Sequence, residues 1–273
     1  MSGRIDLKSV RLKTAQKYSN WLLFYLFFQK QAPFSVPSWV EGGDKRVISF
    51  VRSISPHEKA CYHHIEFPSY KGVEVEVHYR PSFLLCFWHN RKLQKYYERV
   101  KEEQFSHRVM LGEQGEIAIP TVEFNLIFQL THIYAHLMNE GIGLRQLLDY
   151  YYVLISDDLL LIRDRVQKEL KELGLWKFAG AIMYIMQEVF GMPASRLIVP
   201  PNKKYGKFVL NEVLEAGNFG KHDERNRFGK SKLGHNLQRV YRDIRLVRYF
   251  PAEAMSEPFF RVWHFFWRMK NKK

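Results

Sequence analysis

The stretch "HHIEFPSYKGVEVEVHYRPS", His63–Ser82, decides how the first half of the chain folds. Apolar and polar residues alternate on both sides of a short segment that contains Pro and Gly, and this is the pattern of a β-hairpin. We expect the strands "YHHIEF" and "VEVEVHY" to flank the loop "PSYKG". A loop of five residues would place Phe67 opposite Val73.

One face of this hairpin is predicted to carry a row of titratable side chains, because side chains alternate between the two faces of a strand. In the expected register Glu66 faces Glu74 and His64 faces Glu76, with His78 next along the same face. The opposite face supplies core residues: His63, Ile65, Phe67, Val73, Val75 and Val77. Directly opposed like charges destabilise a sheet, so the polar face is either an ordinary solvated surface or one wall of a metal or phosphate site.

Composition allows a substantial core and favours an anionic partner. The chain has 273 residues, of which 46% are hydrophobic, and a formal net charge of +14. This charge would attract any of several anionic partners: nucleotides, nucleic acids, acidic polymers or anionic membrane surfaces. Two cysteines exclude a disulfide framework and favour a reducing compartment. The run "WLLFYLFF", Trp21–Phe28, is far shorter than the roughly 20 residues that span a bilayer, so we expect a cytoplasmic protein without a signal segment.

The second half of the chain has helical periodicity. Thr121 is a predicted N-cap with Glu123 in the first turn, and an apolar stripe follows at helical spacing. The residues of that stripe are Leu126, Leu130, Ile133 and Leu137. Further helices are predicted over residues 47–54, from about Asn90, through "LRQLLDYYYVLI", and over 157–172, 175–190, 205–216, 231–249 and 256–270. The segment "HRVMLGEQGEIAIP" predicts two short strands around a Gly turn.

Other polar residues leave alternatives open. His132 and His136 stand four residues apart on a polar stripe of the first long helix, but no third zinc ligand is evident, which favours a stripe that faces a cleft. Arg145 precedes Asp149 by four residues, so it is either half of a surface ion pair or an anion-binding arginine. The basic stretch Lys221–Arg248 is either a solvated helix face or a nucleic-acid surface, although no nucleic-acid-binding motif accompanies the charge. The terminal "RVWHFFWRMKNKK" is either a docked helix or a membrane-surface segment.

Four segments in a fixed order resemble a known family. They are "HHIEFPSYKGVEVEVHYRPSF", "NRKLQKYYE", "AIPTVEFNLIFQLTHIYAHLMNEGIGLRQLLDYYYVL" and "LEAGNFGK". Together they are similar to the uncharacterised bacterial nucleotidyltransferases, which resemble the polymerase-beta-type superfamily. The resemblance covers about residues 47–270. It implies transfer of a nucleoside monophosphate from a nucleoside triphosphate, with Mg²⁺ as cofactor and an unknown small-molecule or protein acceptor.

The resemblance also implies roles for particular residues. Glu76 occupies the position of the third metal-binding carboxylate, and Glu74, His78 and His64 would shape the nucleotide site around it. Arg145 would contact phosphate or acceptor. The superfamily's G-D-x-D turn is absent from the sequence; "GRIDL" leaves Asp6 as the second candidate ligand, and Asp44 in "EGGDKR" is a weaker one.

We therefore expect an α+β protein in which a small mixed sheet of nucleotidyltransferase type is incomplete and is followed by a helical domain. The expected boundaries are a divergent or truncated N-terminal segment over 1–45, an α/β portion over 46–120 and a helical domain over 121–273. Because one carboxylate cannot position two metal ions, the sequence predicts little or no transfer unless Asp6 or Asp44 supplies a second. The alternative is a catalytically impaired protein that binds a nucleotide or partner on the same scaffold.

Overall fold

A computed structural model describes residues 43–70, 73–110, 115–216 and 232–271. The chain divides into two compact units. The first unit holds the described residues up to Pro81, then Glu102–Ile119 and those from Trp267 onward, and the second holds Ser82–Lys101 and Pro120–Phe266. The domain boundaries expected at residues 45 and 120 stay a prediction.

Besides the C-terminal ends of two helices of the second unit, the described residues of the first unit form one complete helix and two antiparallel hairpins. These elements are α1 (Gly43–Ile54), β1 (His64–Tyr70), β2 (Val73–His78), β3 (Arg108–Met110) and β4 (Glu116–Ala118). The core of the unit packs the apolar face of α1 against that of the first hairpin. Its buried residues are Ile48, Val51, Ala60, Ile65, Val77 and Tyr79.

The second unit is helical. Its elements are α2 (Phe87–Ser106, which extends into the first unit), α3 (Val122–Asn139), α4 (Leu144–Leu154), α5 (Leu159–Glu172), α6 (Trp176–Phe190), α7 (Lys203–Ala216), α8 (Lys232–Val247) and α9 (Pro251–Lys270). The helices predicted from periodicity are confirmed to within a few residues. The α+β class is confirmed as well, and both sheets of the described part are antiparallel pairs.

Helix α3 begins where the sequence predicts it. The Thr121 hydroxyl accepts a hydrogen bond from the Phe124 amide at 3.2 Å, which satisfies one of the free donors at the helix start. The four residues of the predicted stripe are all buried: Leu126, Leu130, Ile133 and Leu137. This face of α3 therefore anchors the core of the second unit.

Helix α6 is the most deeply buried helix described, with buried residues at every position from Phe178 to Met186. Helix α7 approaches it closely at Gly206, where a Cβ atom would lie only 2.3 Å from the Tyr184 ring. Any larger residue at 206 would have to push these two helices apart. Among the described residues, no helix is both long and apolar enough to cross a membrane.

Candidate functional site

The first hairpin pairs in a register different from the predicted one. Glu66 is opposite Glu76 and His64 is opposite His78, with Phe67 opposite Val75. The expected pairs of Glu66 with Glu74 and of His64 with Glu76 are therefore wrong. The strand continues through Pro68 to Tyr70, and the ladder is irregular between Phe67 and Tyr70. Proline cannot donate a ladder hydrogen bond and is typically found at such irregularities, so the loop estimate based on "PSYKG" was too long.

The prediction of which residues share a face nevertheless holds for the paired residues from His64 to Phe67 and from Val75 to His78, and it fails only for His63 among the paired and adjoining residues. The register moved by two residues, and a shift of two keeps every side chain on its face, whereas a shift of one would reverse all of them. Ile65 and Val77 are buried, as expected for the core face. The other face carries the pair Glu66–Glu76 and, next to it, the pair His64–His78.

The segment before β1 runs along its outer edge and sets the type of these pairs. The Glu66 amide donates to the Lys59 carbonyl at 3.1 Å, and the His64 carbonyl accepts from the Cys61 amide at 2.8 Å. The backbone groups of Glu66 and His64 thus point away from β2. Both pairs are consequently of the non-hydrogen-bonded type, in which opposed residues of an antiparallel ladder approach most closely, with Cα atoms about 4.5 Å apart.

Three histidines gather at the end of the hairpin. His63 Nε2 lies 3.0 Å from His64 Nδ1, and the ring centres of His63 and His64 are each 5.2 Å from that of His78. The sequence placed His63 on the core face because it extended the strand alternation by one residue too many. Since β1 begins at His64, His63 is free of that alternation and joins the other two.

The backbone pairing shows where Glu74 and Glu76 stand on β2, but their side chains lie outside the described part of the structure. The Glu66 side chain is exposed. Asp6 lies outside the described residues. Asp44 is the second residue of α1, and its side chain is also outside the described part. The roles assigned to these carboxylates stay predictions.

Arg145 is exposed at the second position of α4 in the helical unit. The helix start is organised by Gln146, whose side-chain oxygen accepts from the Gly143 amide at 3.1 Å. Arg145 thus stands in the first turn of a helix, where the backbone dipole favours an anion.

His132 and His136 contact each other on α3, with their Nε2 atoms 3.0 Å apart. His136 also approaches Glu140, at 3.8 Å between Nδ1 and Oε2. The neighbouring His136 lowers the pKa of the Glu140 carboxyl, and Arg242 and Arg239 lower it further, although partial burial acts in the opposite direction.

Four arginines recur at every third position in the basic stretch and form a basic stripe: Arg239, Arg242 and Arg245 on α8, and Arg248 just after it. Two of the four have structural roles. Arg242 is 7% exposed and donates to the carbonyls of Asn139 and Glu140 at the end of α3. Arg245 donates to the buried Glu212 carboxylate at 3.2 Å. The interpretation of this stripe as a solvated face holds for Arg239 and Arg248, which are exposed, but is wrong for Arg242 and Arg245.

Glu253 forms a polar centre that the sequence did not indicate. Its carboxylate is 2% exposed, and one oxygen accepts from the amides of Leu85 and Cys86 at 2.6 and 3.0 Å. The other oxygen lies 2.9 Å from His89 Nδ1. Glu253 therefore caps the start of α2, which explains why this helix begins at Phe87 and not near Asn90. The one local feature of the sequence that could have pointed to this polar centre is the close spacing of Cys86 and His89.

The chain was also compared with protein-family models. Residues 44–191, more than half of the chain and including the first hairpin and α2 to α6, match the family described as uncharacterised nucleotidyltransferase. The chain therefore belongs to this family. Comparisons with curated proteins and with solved structures found no match.

Proposed function

We propose that this chain binds a Mg²⁺–nucleoside triphosphate on the polar face of the first hairpin and transfers the nucleoside monophosphate to an acceptor hydroxyl or similar group. The proposal rests above all on the register that opposes Glu66 and Glu76 within the segment matched by the family. Without a cation, two directly opposed carboxylates repel each other. A hard divalent ion that prefers oxygen ligands resolves that repulsion.

The donor set of this face fits Mg²⁺. Glu76 is the proposed first ligand, and Glu66, which sequence reasoning paired with Glu74, now supplies a carboxylate directly across from it. Asp6 remains the second ligand implied by the family resemblance. When bound, Mg²⁺ neutralises charge on the transferring phosphoryl group.

The remaining candidates are proposed to act on the nucleotide or the acceptor. His64 and His78 border the carboxylate pair and would hold the nucleotide in place, with Glu74 on the same face of β2. Arg145 is proposed to bind a phosphate or an anionic acceptor group, because its guanidinium is exposed beside a helix start.

A second candidate function is nucleotide binding without transfer. It is favoured by the sequence itself, which contains no G-D-x-D turn. Both candidates require Mg²⁺–nucleotide binding, and they differ in turnover alone.

Pyrophosphate release tests the two candidates. The assay supplies each nucleoside triphosphate with Mg²⁺ and a panel of sugars and aminoglycosides, and it compares wild type with Glu76→Gln and Glu66→Gln. Glu116→Gln is the matched control, because Glu116 is an exposed strand carboxylate of the same unit that lies in β4, outside the first hairpin. Turnover that both hairpin variants lose and the control keeps supports transfer. Nucleotide binding without turnover supports the second candidate, and the absence of both contradicts each.

A further inference from the structure

We propose that His63, His64 and His78 form a binding site for a transition-metal ion of the zinc type. Each residue can offer one ring nitrogen, and the three nitrogens lie within 4.8 Å of one another. The site shares His64 and His78 with the proposed nucleotide site, but its chemistry is different, because nucleotidyl transfer calls for oxygen ligands and Mg²⁺. Metal binding by the three histidines does not depend on whether transfer occurs.

The spacing of the nitrogens suits such an ion. Zinc binds imidazole nitrogens at about 2.0–2.1 Å, and a tetrahedral arrangement at that length places them about 3.3 Å apart. The distance between His63 Nε2 and His64 Nδ1 is 3.0 Å, and the His78 nitrogen lies within 4.8 Å of both. Imidazole ligands favour Zn²⁺, Cu²⁺ and Ni²⁺ over Mg²⁺. Three protein ligands also leave the fourth position open.

The backbone holds the three residues in this arrangement. The His63 carbonyl accepts from the amides of Tyr79 and Arg80 at 3.0 and 3.1 Å, which ties it to the residues that follow His78. His64 is held by the ladder and by the Cys61 amide. A further bond joins the Tyr79 hydroxyl to the Cys61 carbonyl. Because the fold already orders these residues, metal binding loses less conformational entropy than it would with a flexible set of ligands.

A second side-chain cluster of the described residues, Cys86–His89–Glu253, meets the same distance criterion. Its carboxylate already has partners, because one Glu253 oxygen accepts from the amides of Leu85 and Cys86, just before α2, and the other contacts His89 in the first turn of α2. Removing those contacts would leave the start of α2 uncapped. In the histidine cluster the contact that a metal ion would replace lies within the cluster itself, between His63 Nε2 and His64 Nδ1, so we favour this cluster as the metal site.

Co²⁺ titration of the full chain, followed by visible absorption, tests the proposal. Tetrahedral Co²⁺ with nitrogen ligands absorbs strongly where octahedral aqueous Co²⁺ absorbs weakly. We expect one Co²⁺ per chain, displaced by Zn²⁺ and not by Mg²⁺. Single substitutions of His63, His64 or His78 by Ala should each weaken binding at least about tenfold. His57→Ala, an exposed histidine of the same unit, is the matched control and should bind as wild type does.

A measurement on wild type keeps the test independent of variant folding. X-ray absorption at the zinc edge of the one-to-one complex should show nitrogen or oxygen scatterers near 2.0 Å with the outer pattern of imidazole. A sulfur scatterer near 2.3 Å would place a cysteine, either Cys61 or Cys86, among the ligands and overturn the proposal. Binding that survives all three substitutions, that is lost in His132→Ala/His136→Ala alone, or that fails to occur in wild type would also overturn it.

Discussion

Glu66 and Glu76 oppose each other across β1 and β2. When no cation is bound, repulsion between the two carboxylates lowers the stability of the folded protein. We predict that Glu76→Gln raises the free energy of unfolding of the metal-free protein by about 0.2–1 kcal/mol, the range for a cross-strand pair. Urea unfolding in the presence of a chelator measures this change. Glu116→Gln should leave the value unchanged, and a destabilised Glu76→Gln protein would show that the carboxylate has a structural partner.

Arg145 offers a second test at a single residue. Its side chain is exposed, so Arg145→Ala should hardly change the melting temperature. If Arg145 binds phosphate or acceptor, the substitution weakens that affinity by about 1–3 kcal/mol, the range for a charged hydrogen bond. Calorimetric titration with Mg²⁺–nucleotide measures the loss. Arg91→Ala, another exposed helix arginine, is the control, and equal affinities in all three proteins would make Arg145 an ordinary surface charge.

Helices α3 and α8 are joined by the guanidinium of Arg242, which binds two carbonyls at the end of α3. We predict that Arg242→Ala lowers the free energy of unfolding by about 1.5–3 kcal/mol, since it removes hydrogen bonds from a charged donor to two partly buried carbonyls. Arg248→Ala, on the exposed side of the same stretch, should change it by less than about 0.5 kcal/mol. Thermal and urea unfolding of the two variants compare them directly. If both substitutions change the free energy of unfolding by equally small amounts, Arg242 has no structural role and the basic stripe is a solvated helix face.

The elements also show what could be predicted from sequence. Helix α3 was predictable because its cap and its apolar stripe are local signals, and both are confirmed at Thr121 and Leu130. The hairpin register was not, because it depends on where the ladder accommodates Pro68. The start of α2 was not either, because Glu253, which caps it, lies 168 residues after Leu85.

The candidate site was predictable in part for the same reason. Alternation in "VEVEVH" correctly grouped the polar residues of one face, since an even register shift preserves that grouping. The gathering of His63 with His64 and His78 depends on contacts between β1, its preceding segment and the residues after β2. Such contacts join positions distant in sequence, and no periodicity records them.

For the whole molecule, Asp243 makes stability depend on pH. Burial, together with the neighbouring Glu257 carboxylate, raises the pKa of Asp243 from 3.8 to about 7, although Arg261 and Arg242 act in the opposite direction. Between about pH 4 and about pH 7 the folded protein keeps a proton that the unfolded chain has released. The stability contributed by this group is therefore present at low pH and is lost as the pH rises through 7.

Asp243→Asn cannot ionise, so it should remove this part of the pH dependence. We expect the urea midpoint of the variant, relative to wild type, to increase as the pH is raised from about 5 to about 8. Asp164→Asn, at an exposed aspartate of the helical unit, serves as the control. A constant difference between Asp243→Asn and wild type across this range would contradict the assignment.

The central claim is that the polar face of the first hairpin receives a metal-bound nucleotide. The most direct measurement is equilibrium binding of each nucleoside triphosphate to wild type and to Glu76→Gln, with Mg²⁺ and with a chelator in its place. We predict that wild type binds at least one nucleoside triphosphate, that this binding requires Mg²⁺, and that Glu76→Gln loses it while folding normally. Binding that is indifferent to both Mg²⁺ and Glu76, or the absence of binding for every nucleotide, would contradict the account.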